Sequence, residues 1–425
     1  MKVVSQARES SLSSLDVHSY RSERENRGFD YFRSKALSEL VGFDTKSDFW
    51  SHVLQSTEAS PAVFRAVLSL SSLHEASYGQ SMREISSNDR VLFLRQYNKA
   101  IRQLCARQIA QPIQFTLTCC ILFICLENLR GDHDAALLHL EKGLEILKEW
   151  HAAGSTLSSE IEAREIITKV FRRLDSQATA FQDTRQPQFN TRFSSGLVTT
   201  EALSVLPSFR DLNQARTNLE VLVSKLFYII TTNSTPQHPS WSEHNEYLPV
   251  RWSLLKGLSV EFINWKSAFD TLSLQQSHQW QSHELRSSIL IALHYHTTSL
   301  MLEIRQNTDT EGRYCGVSKD VQWMKINDIC QSIIESLPTP GPSFSADMGL
   351  IAPLYFTAMQ AENPHICRRA IDLLRLIKWK EGFWNAGTAA AVAEKVLGNQ
   401  LAGMPEDATI AGIAQLAKAH CVSCC

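Results

Sequence analysis

The sequence has no excess of charge of either sign. Its 425 residues carry 42 basic and 44 acidic side chains, so the formal net charge is −2. A domain that reads DNA usually presents a basic face, and no basic cluster stands out in this chain. Hydrophobic residues make up 44% and charged residues 20% of the chain, which is typical of folded globular proteins. The composition therefore favours a folded protein and gives no sign of direct DNA binding.

Long hydrophobic runs are also missing, and no apolar segment follows Met1. The longest apolar run, Leu117–Leu126, is about half of the ~20 residues that a membrane-spanning helix needs. We therefore expect neither a secretory signal nor a contact with a membrane. An intracellular location follows, in which the ten cysteines are expected to be thiols rather than disulfides.

Cysteines are missing from the first hundred residues, and the first of the ten is Cys105. Cys119, Cys120 and Cys125 lie together in the apolar run. Adjacent residues on a helix point about 100° apart, so Cys119 and Cys120 cannot easily share one metal ion. Free cysteine commonly packs as a small hydrophobe. We therefore expect these thiols to belong to the core rather than to a metal or redox site.

Catalytic motifs are missing as well. The chain has no Gly-x-Ser-x-Gly elbow, no phosphate-binding glycine loop and no dinucleotide fingerprint. His294 and His296 lie two residues apart in a predicted helix, on opposite faces, which makes them a poor ligand pair. Asp175 and Asp347 have no acidic partner visible in the sequence. We predict no catalytic residue, no cofactor or cofactor-binding residue and no metal ligand, and hence a protein that is not an enzyme.

What the sequence does contain is helical periodicity, with little of the alternation typical of strands. We predict an all-α fold, an irregular multi-helix domain of stacked antiparallel helices. The predicted boundaries are a flexible, polar lead-in over 1–45, a helical domain over 46–400 with a long loop at about 182–211, and a divergent tail over 401–425. The tryptophans lie among aliphatic residues at helical spacing, which predicts packing anchors at Trp150, Trp252, Trp265, Trp379 and Trp384.

Several stretches together resemble one family, in the order in which they occur there. They are Asp48–Ala76 (beginning DFWSHVLQ), Leu94–Leu104 (LRQYNKAIRQL), Thr118–Leu147 (beginning TCCILFICLENLRG), Leu293–Glu303 (LHYHTTSLMLE) and Asp347–Trp384 (beginning DMGLIAPLYF). The chain resembles the regulatory, middle homology domain of fungal-specific transcription factors of the six-cysteine binuclear zinc cluster family. The resemblance covers most of residues 45–400.

The resemblance implies a nuclear regulator of transcription, in a family whose fungal members often accompany secondary-metabolite genes. The zinc cluster itself is not found, because its six spaced cysteines would precede the helical domain. Two interpretations stay open: a natural coregulator that works through other transcription regulators or DNA-binding proteins, or a truncated product whose zinc cluster lies upstream. A homodimer or a heterodimer is compatible with both. The alternatives from other classes are a helical protein–protein scaffold and a metabolite-sensing domain without catalysis.

Overall fold

The structure, a computed structural model, describes most of the chain between residues 22 and 402. The described residues are 22–42, 48–77, 86–106, 112–154, 157–181, 185, 187–188, 208–231, 241–307, 318–337 and 344–402. Helices dominate them, which confirms the all-α prediction. Most of the predicted loop at 182–211 and nearly all of the predicted tail lie outside the described residues.

The helices of the N-terminal half follow one another closely. They are α1 (Glu23–Tyr31), α2 (Leu37–Leu40), α3 (Asp48–Ala59), α4 (Pro61–Ser77), α5 (Ser87–Leu104), α6 (Ile113–Arg130), α7 (His133–Ala153) and α8 (Ser158–Phe181). A π-helical turn, Phe32–Ala36, joins α1 to α2.

The C-terminal half adds further helices and a small sheet. The helices are α9 (Leu212–Thr231), α10 (Trp241–Gln276), α11 (Ser282–Gln306), α12 (Asp320–Ser336), α13 (Ile351–Gln360), α14 (Pro364–Leu376) and α15 (Ala386–Leu401), with a 3-10 turn, Ser277–Gln279, after α10. The two-residue strands β1 (Phe344–Ser345), β2 (Lys380–Glu381) and β3 (Trp384–Asn385) pair in that order, β1 parallel and β3 antiparallel to β2.

The expectation of a flexible lead-in over 1–45 is wrong for residues 22–42, which are helical. Ser22 caps α1 in a capping box with Glu25. Phe32, Ala36 and Leu40 recur every four residues and are fully buried. The segment has few apolar side chains, but one helix face collects them, and that face packs against the rest of the domain.

Helices α6 and α7 form a hairpin that follows directly from the sequence. Gly131 ends α6 in the left-handed conformation, with φ of 85°, which glycine adopts without strain. The Asp132 side chain then accepts a hydrogen bond from the Ala135 backbone N–H, as expected for a helix cap. By length and composition α6 could cross a membrane, but 78% of its apolar window is buried inside the protein, as in a core helix.

Three hydrophobic cores hold the described residues together. The first core joins α1–α8 and includes the buried thiols of α6. The second core joins α11–α15, and the third core joins α9, α10 and α11. Helix α11 belongs to both of the latter, because Leu293 faces the second core while Tyr295 faces the third.

The tryptophan prediction is confirmed except at one position. Trp150, Trp265, Trp379 and Trp384 are buried. Trp265 stacks on Tyr295 with ring centres 5.1 Å apart, and its indole N–H donates to the backbone oxygen of Ala215 at 2.9 Å. Trp252 is 48% exposed and is therefore not a buried packing anchor.

The sequence of residues 231–249 (TTNSTPQHPSWSEHNEYLP) is typical of a loop, whereas the backbone is already helical from Trp241. The turn-forming residues that suggested the loop are concentrated before that point.

The small sheet fixes the C-terminal half to the N-terminal half. The Ala346 N–H donates to the carbonyl oxygen of Leu40 at 3.1 Å. The Lys380 ammonium donates to the carbonyl oxygen of Leu129, at the end of α6, at 2.9 Å. Strands of two residues give no period-2 pattern, so the sequence could not predict them.

Candidate functional site

A cavity of about 360 Å³ lies where the three cores meet. Helices α8, α9, α11 and α13 line it, so each core contributes to its wall. On α11 the lining residues recur at helical spacing along one face, and they are Ser287, Leu290, Ile291, His294, Thr297, Thr298, Met301 and Arg305. A cavity of this size falls in the range of small-molecule sites.

One end of the cavity is polar and carries two arginines and two acids. Arg173 of α8 donates to Glu220 at 2.8 Å and to Asp347 at 2.7 Å. Arg216 of α9 donates to the same two carboxylates, at 3.1 Å and 2.8 Å. The four side chains therefore form a closed ring of alternating charge that joins α8, α9 and the segment before α13.

The ring is mostly buried, with side-chain exposures between 11% and 19%. Burial raises the pKa of the Asp347 carboxyl, but the two guanidinium groups overcome it and lower the pKa to about 2. Asp347 therefore stays ionised at any ordinary pH. A general base needs a pKa near the working pH, so this carboxylate is suited to holding helices together rather than to proton transfer.

His294 lies in the middle of the cavity wall. Its Nε2 is 2.9 Å from the carbonyl oxygen of Gly349. A carbonyl oxygen only accepts, so Nε2 carries the proton and donates it. Burial lowers the pKa of His294, although the Gly349 carbonyl opposes the shift. The imidazole of His294 is therefore neutral, and its Nδ1 can accept a hydrogen bond.

The rest of the cavity is largely apolar. On α9 the lining face carries Leu219, Val223 and Phe227, and on α13 it carries Phe356 and Met359. The three α9 residues also belong to the third core, so the third core extends to the wall of the cavity. The site is thus an apolar chamber with one polar end.

The cysteines singled out in the sequence lie elsewhere, inside the first core. Cys119, Cys120 and Cys125 are buried in α6, which confirms the core interpretation. Burial raises the pKa of Cys120 and of Cys125 to about 12 and also raises that of Cys119. Protonated thiols are poor nucleophiles and poor metal ligands. The cysteines of the predicted tail lie outside the described residues.

The two isolated acids have partners that the sequence could not reveal. Asp347 belongs to the ring described above, and Asp175 pairs with Arg185 at 2.6 Å. His296 does not line the cavity, so the structure separates it from His294. Within the described ranges no group of three or more His, Cys, Asp or Glu side chains could hold a metal ion.

Fold and site together describe a large helical domain with an internal cavity and a charge-neutral polar cluster. A sequence profile described as "Fungal specific transcription factor domain" matches residues 27–396. The match covers α1 through most of α15. The chain belongs to the fungal-specific transcription factor domain family, and its class is that of transcription regulators.

A curated relative is similar over part of the chain. It is the "Aspercryptin biosynthesis cluster-specific transcription regulator atnN" of Emericella nidulans, 28% identical over 166 residues. The alignment covers 38% of this chain and 26% of the relative, so the chain spans about a quarter of the relative's length. No solved structure matches the chain.

Proposed function

We propose that this protein regulates transcription of a fungal biosynthetic gene cluster, in the nucleus, through protein partners. The observation that carries the proposal is the family match over residues 27–396, which takes in the described helices from α2 onward and all three cores. The relative, whose name makes it specific for a biosynthesis cluster, supports the choice of target genes.

Protein partners enter the proposal because the composition of these 425 residues gives no sign of direct DNA binding. Their net charge is −2, and binding to the phosphate backbone depends on lysines and arginines. Arg173 and Arg216, which are central to the cavity, are engaged by carboxylates. Another transcription regulator or a DNA-binding protein, bound as a heterodimer partner or recruited by a homodimer, would supply the contact with the promoter, unless a zinc cluster encoded upstream of these residues supplies it.

We further propose that the domain works without catalysis. The acids that line or adjoin the cavity, Glu220 and Asp347, lie at its polar end, and each of them pairs with both arginines of the ring. In an active site for acid–base chemistry, the surroundings push the pKa values of two groups apart, so that one of them is protonated and the other ionised near neutral pH. The strongly acidic Asp347 and the neutral His294 fit a structural ring beside a binding chamber better than an active site.

Deleting the gene tests the proposal. We expect altered transcript levels of neighbouring biosynthetic genes under conditions that induce the pathway, and nuclear fluorescence of a tagged chain. Transcript levels equal to those of the parent strain across growth conditions, together with a cytosolic tag, would contradict it. A chain with intact transcripts but nuclear residence would leave the scaffold alternative as the better account.

A further inference from the structure

We propose that the cavity is a binding site for a largely apolar small molecule with a hydroxyl group, which donates a hydrogen bond to His294 Nδ1. The binding stands on the geometry alone. Its consequence, that such a molecule acts as an effector, rests on the proposed function.

The apolar character of the ligand follows from the wall. Leu219, Val223 and Phe227 of α9 line the chamber together with Phe356 and Met359 of α13. Water confined between such side chains is displaced favourably by an apolar molecule. The ring of two arginines and two acids is neutral as a whole, so the ring itself attracts neither an anion nor a cation.

The hydroxyl follows from the orientation of His294. The Nε2–H donates to the Gly349 carbonyl oxygen, which leaves Nδ1 as the acceptor of the His294 imidazole. No side chain or backbone group within the described residues donates to Nδ1, although His294 lines the cavity. A hydroxyl donor on the ligand would satisfy this nitrogen, while an ether or a ketone at the same place would leave it without a partner.

The position of the chamber gives a bound molecule a route to the whole domain. Helix α8 belongs to the first core, α9 to the third, and α11 to the second and third. A ligand that contacts these helices at once binds only the arrangement in which the cores are docked around the chamber. It therefore shifts the population towards that arrangement in proportion to its differential affinity.

Calorimetric titration of the full chain with 2-naphthol and 2-methoxynaphthalene tests the site. The two compounds share an apolar ring system, but only the first has a hydroxyl donor. We expect 2-naphthol to bind about fivefold more tightly, as one net hydrogen bond would give. In His294→Phe the two affinities should become equal, while His296→Phe, which alters a histidine that does not line the cavity, should keep the preference.

A second variant locates the binding independently of His294. Val223→Phe fills part of the chamber and should abolish binding of both compounds while the thermal unfolding remains cooperative. Undetectable binding to the wild-type chain, binding that survives in Val223→Phe, or a hydroxyl preference that survives in His294→Phe would each overturn the proposal.

Failure here and failure of the proposed function are distinguishable. Absent binding to the purified chain removes the site but leaves any transcript changes in the deletion strain in place. Unchanged transcripts in that strain remove the regulatory role but leave the calorimetric result in place.

Discussion

Glu381 is the buried acid on which the start of α13 depends. Its carboxylate accepts the backbone N–H groups of Gly349, Leu350 and Ile351 at 2.9–3.0 Å, and the indole N–H of Trp379 at 2.9 Å. The first N–H groups of a helix have no partner inside the helix. Glu381, 30 positions from Ile351 in sequence, provides the missing acceptor. Burial raises the pKa of Glu381, although the four hydrogen bonds to its carboxylate oppose the shift.

Replacing Glu381 by glutamine is expected to lower the free energy of unfolding by about 2–3 kcal/mol. Each carboxylate oxygen accepts two hydrogen bonds, so the amide NH₂ must face two N–H donors in either orientation. Urea denaturation followed by circular dichroism measures the change. Glu394→Gln is the matched control, because its acid pairs with Arg368 and Arg375 on the surface, and it should unfold close to wild type.

The sequence could predict residues whose role is local and not those whose partners are distant. The cap at Asp132 and the turn at Gly131 follow from neighbouring residues, and both are confirmed. Glu381 and Asp347 work through partners 30 to 174 positions away, and no pattern in one sequence reveals such pairs. The buried thiols were predictable because their helix is apolar on every side.

Helices α7 and α8 approach each other closely at Gly143. A Cβ added at Gly143 would lie 2.4 Å from Phe171 Cε1 and 3.5 Å from the Cβ of Cys120. Phe171 is fully buried. The absence of a side chain at Gly143 therefore lets three helices, α6, α7 and α8, meet in the first core.

We predict that Gly143→Ala lowers the free energy of unfolding by about 1–3 kcal/mol, because the added methyl group has no room beside a buried ring. Alanine favours a helix by about 1 kcal/mol over glycine, so the clash must exceed this gain. The control is Gly257→Ala in α10, where nothing lies within 4 Å of the added Cβ and a gain in stability is expected. If Gly143→Ala and Gly257→Ala changed the midpoint of thermal unfolding by the same amount, the close contact at Gly143 would be refuted.

Element prediction from the sequence succeeded where a helix had a clear apolar stripe and clear ends. The N-terminal helices α1 and α2 were missed because the segment has few apolar residues. Only some of them are fully buried, namely Phe32, Ala36 and Leu40, while Phe29, Tyr31, Leu37 and Val41 pack against the first core partly buried. The start of α10 was missed because turn-forming residues, Pro236 and Pro239 among them, stand just before Trp241. The cavity could not be located from the sequence, because its wall draws on four helices that are far apart in sequence.

For the molecule as a whole, the ring of Arg173, Arg216, Glu220 and Asp347 is the main polar link between the cores. It joins α8, α9 and the segment before α13, and most of its surface is buried. Removing one acid leaves two guanidinium groups with a single carboxylate between them. Such uncompensated buried charge is strongly unfavourable.

Asp347→Asn should lower the stability at neutral pH, and the deficit should shrink in acid. The pKa of Asp347 is lowered from 3.8 to about 2, so its contribution of about 2 kcal/mol is present above pH 3.8 and is lost as the pH falls towards 2. Unfolding free energies of both chains between pH 7 and pH 2.5 measure this. A deficit that stays constant over that range would contradict the lowered pKa. Asp328→Asn, which removes an exposed ion pair with Arg369, serves as the control.

The central claim is that this helical domain regulates transcription, and transcript profiling of the deletion strain tests it most directly. The account predicts changed transcripts of the neighbouring biosynthetic genes, restored by the wild-type chain and less well by Gly143→Ala, which should be less stable. Transcripts that match the parent strain under inducing and non-inducing conditions alike would contradict it.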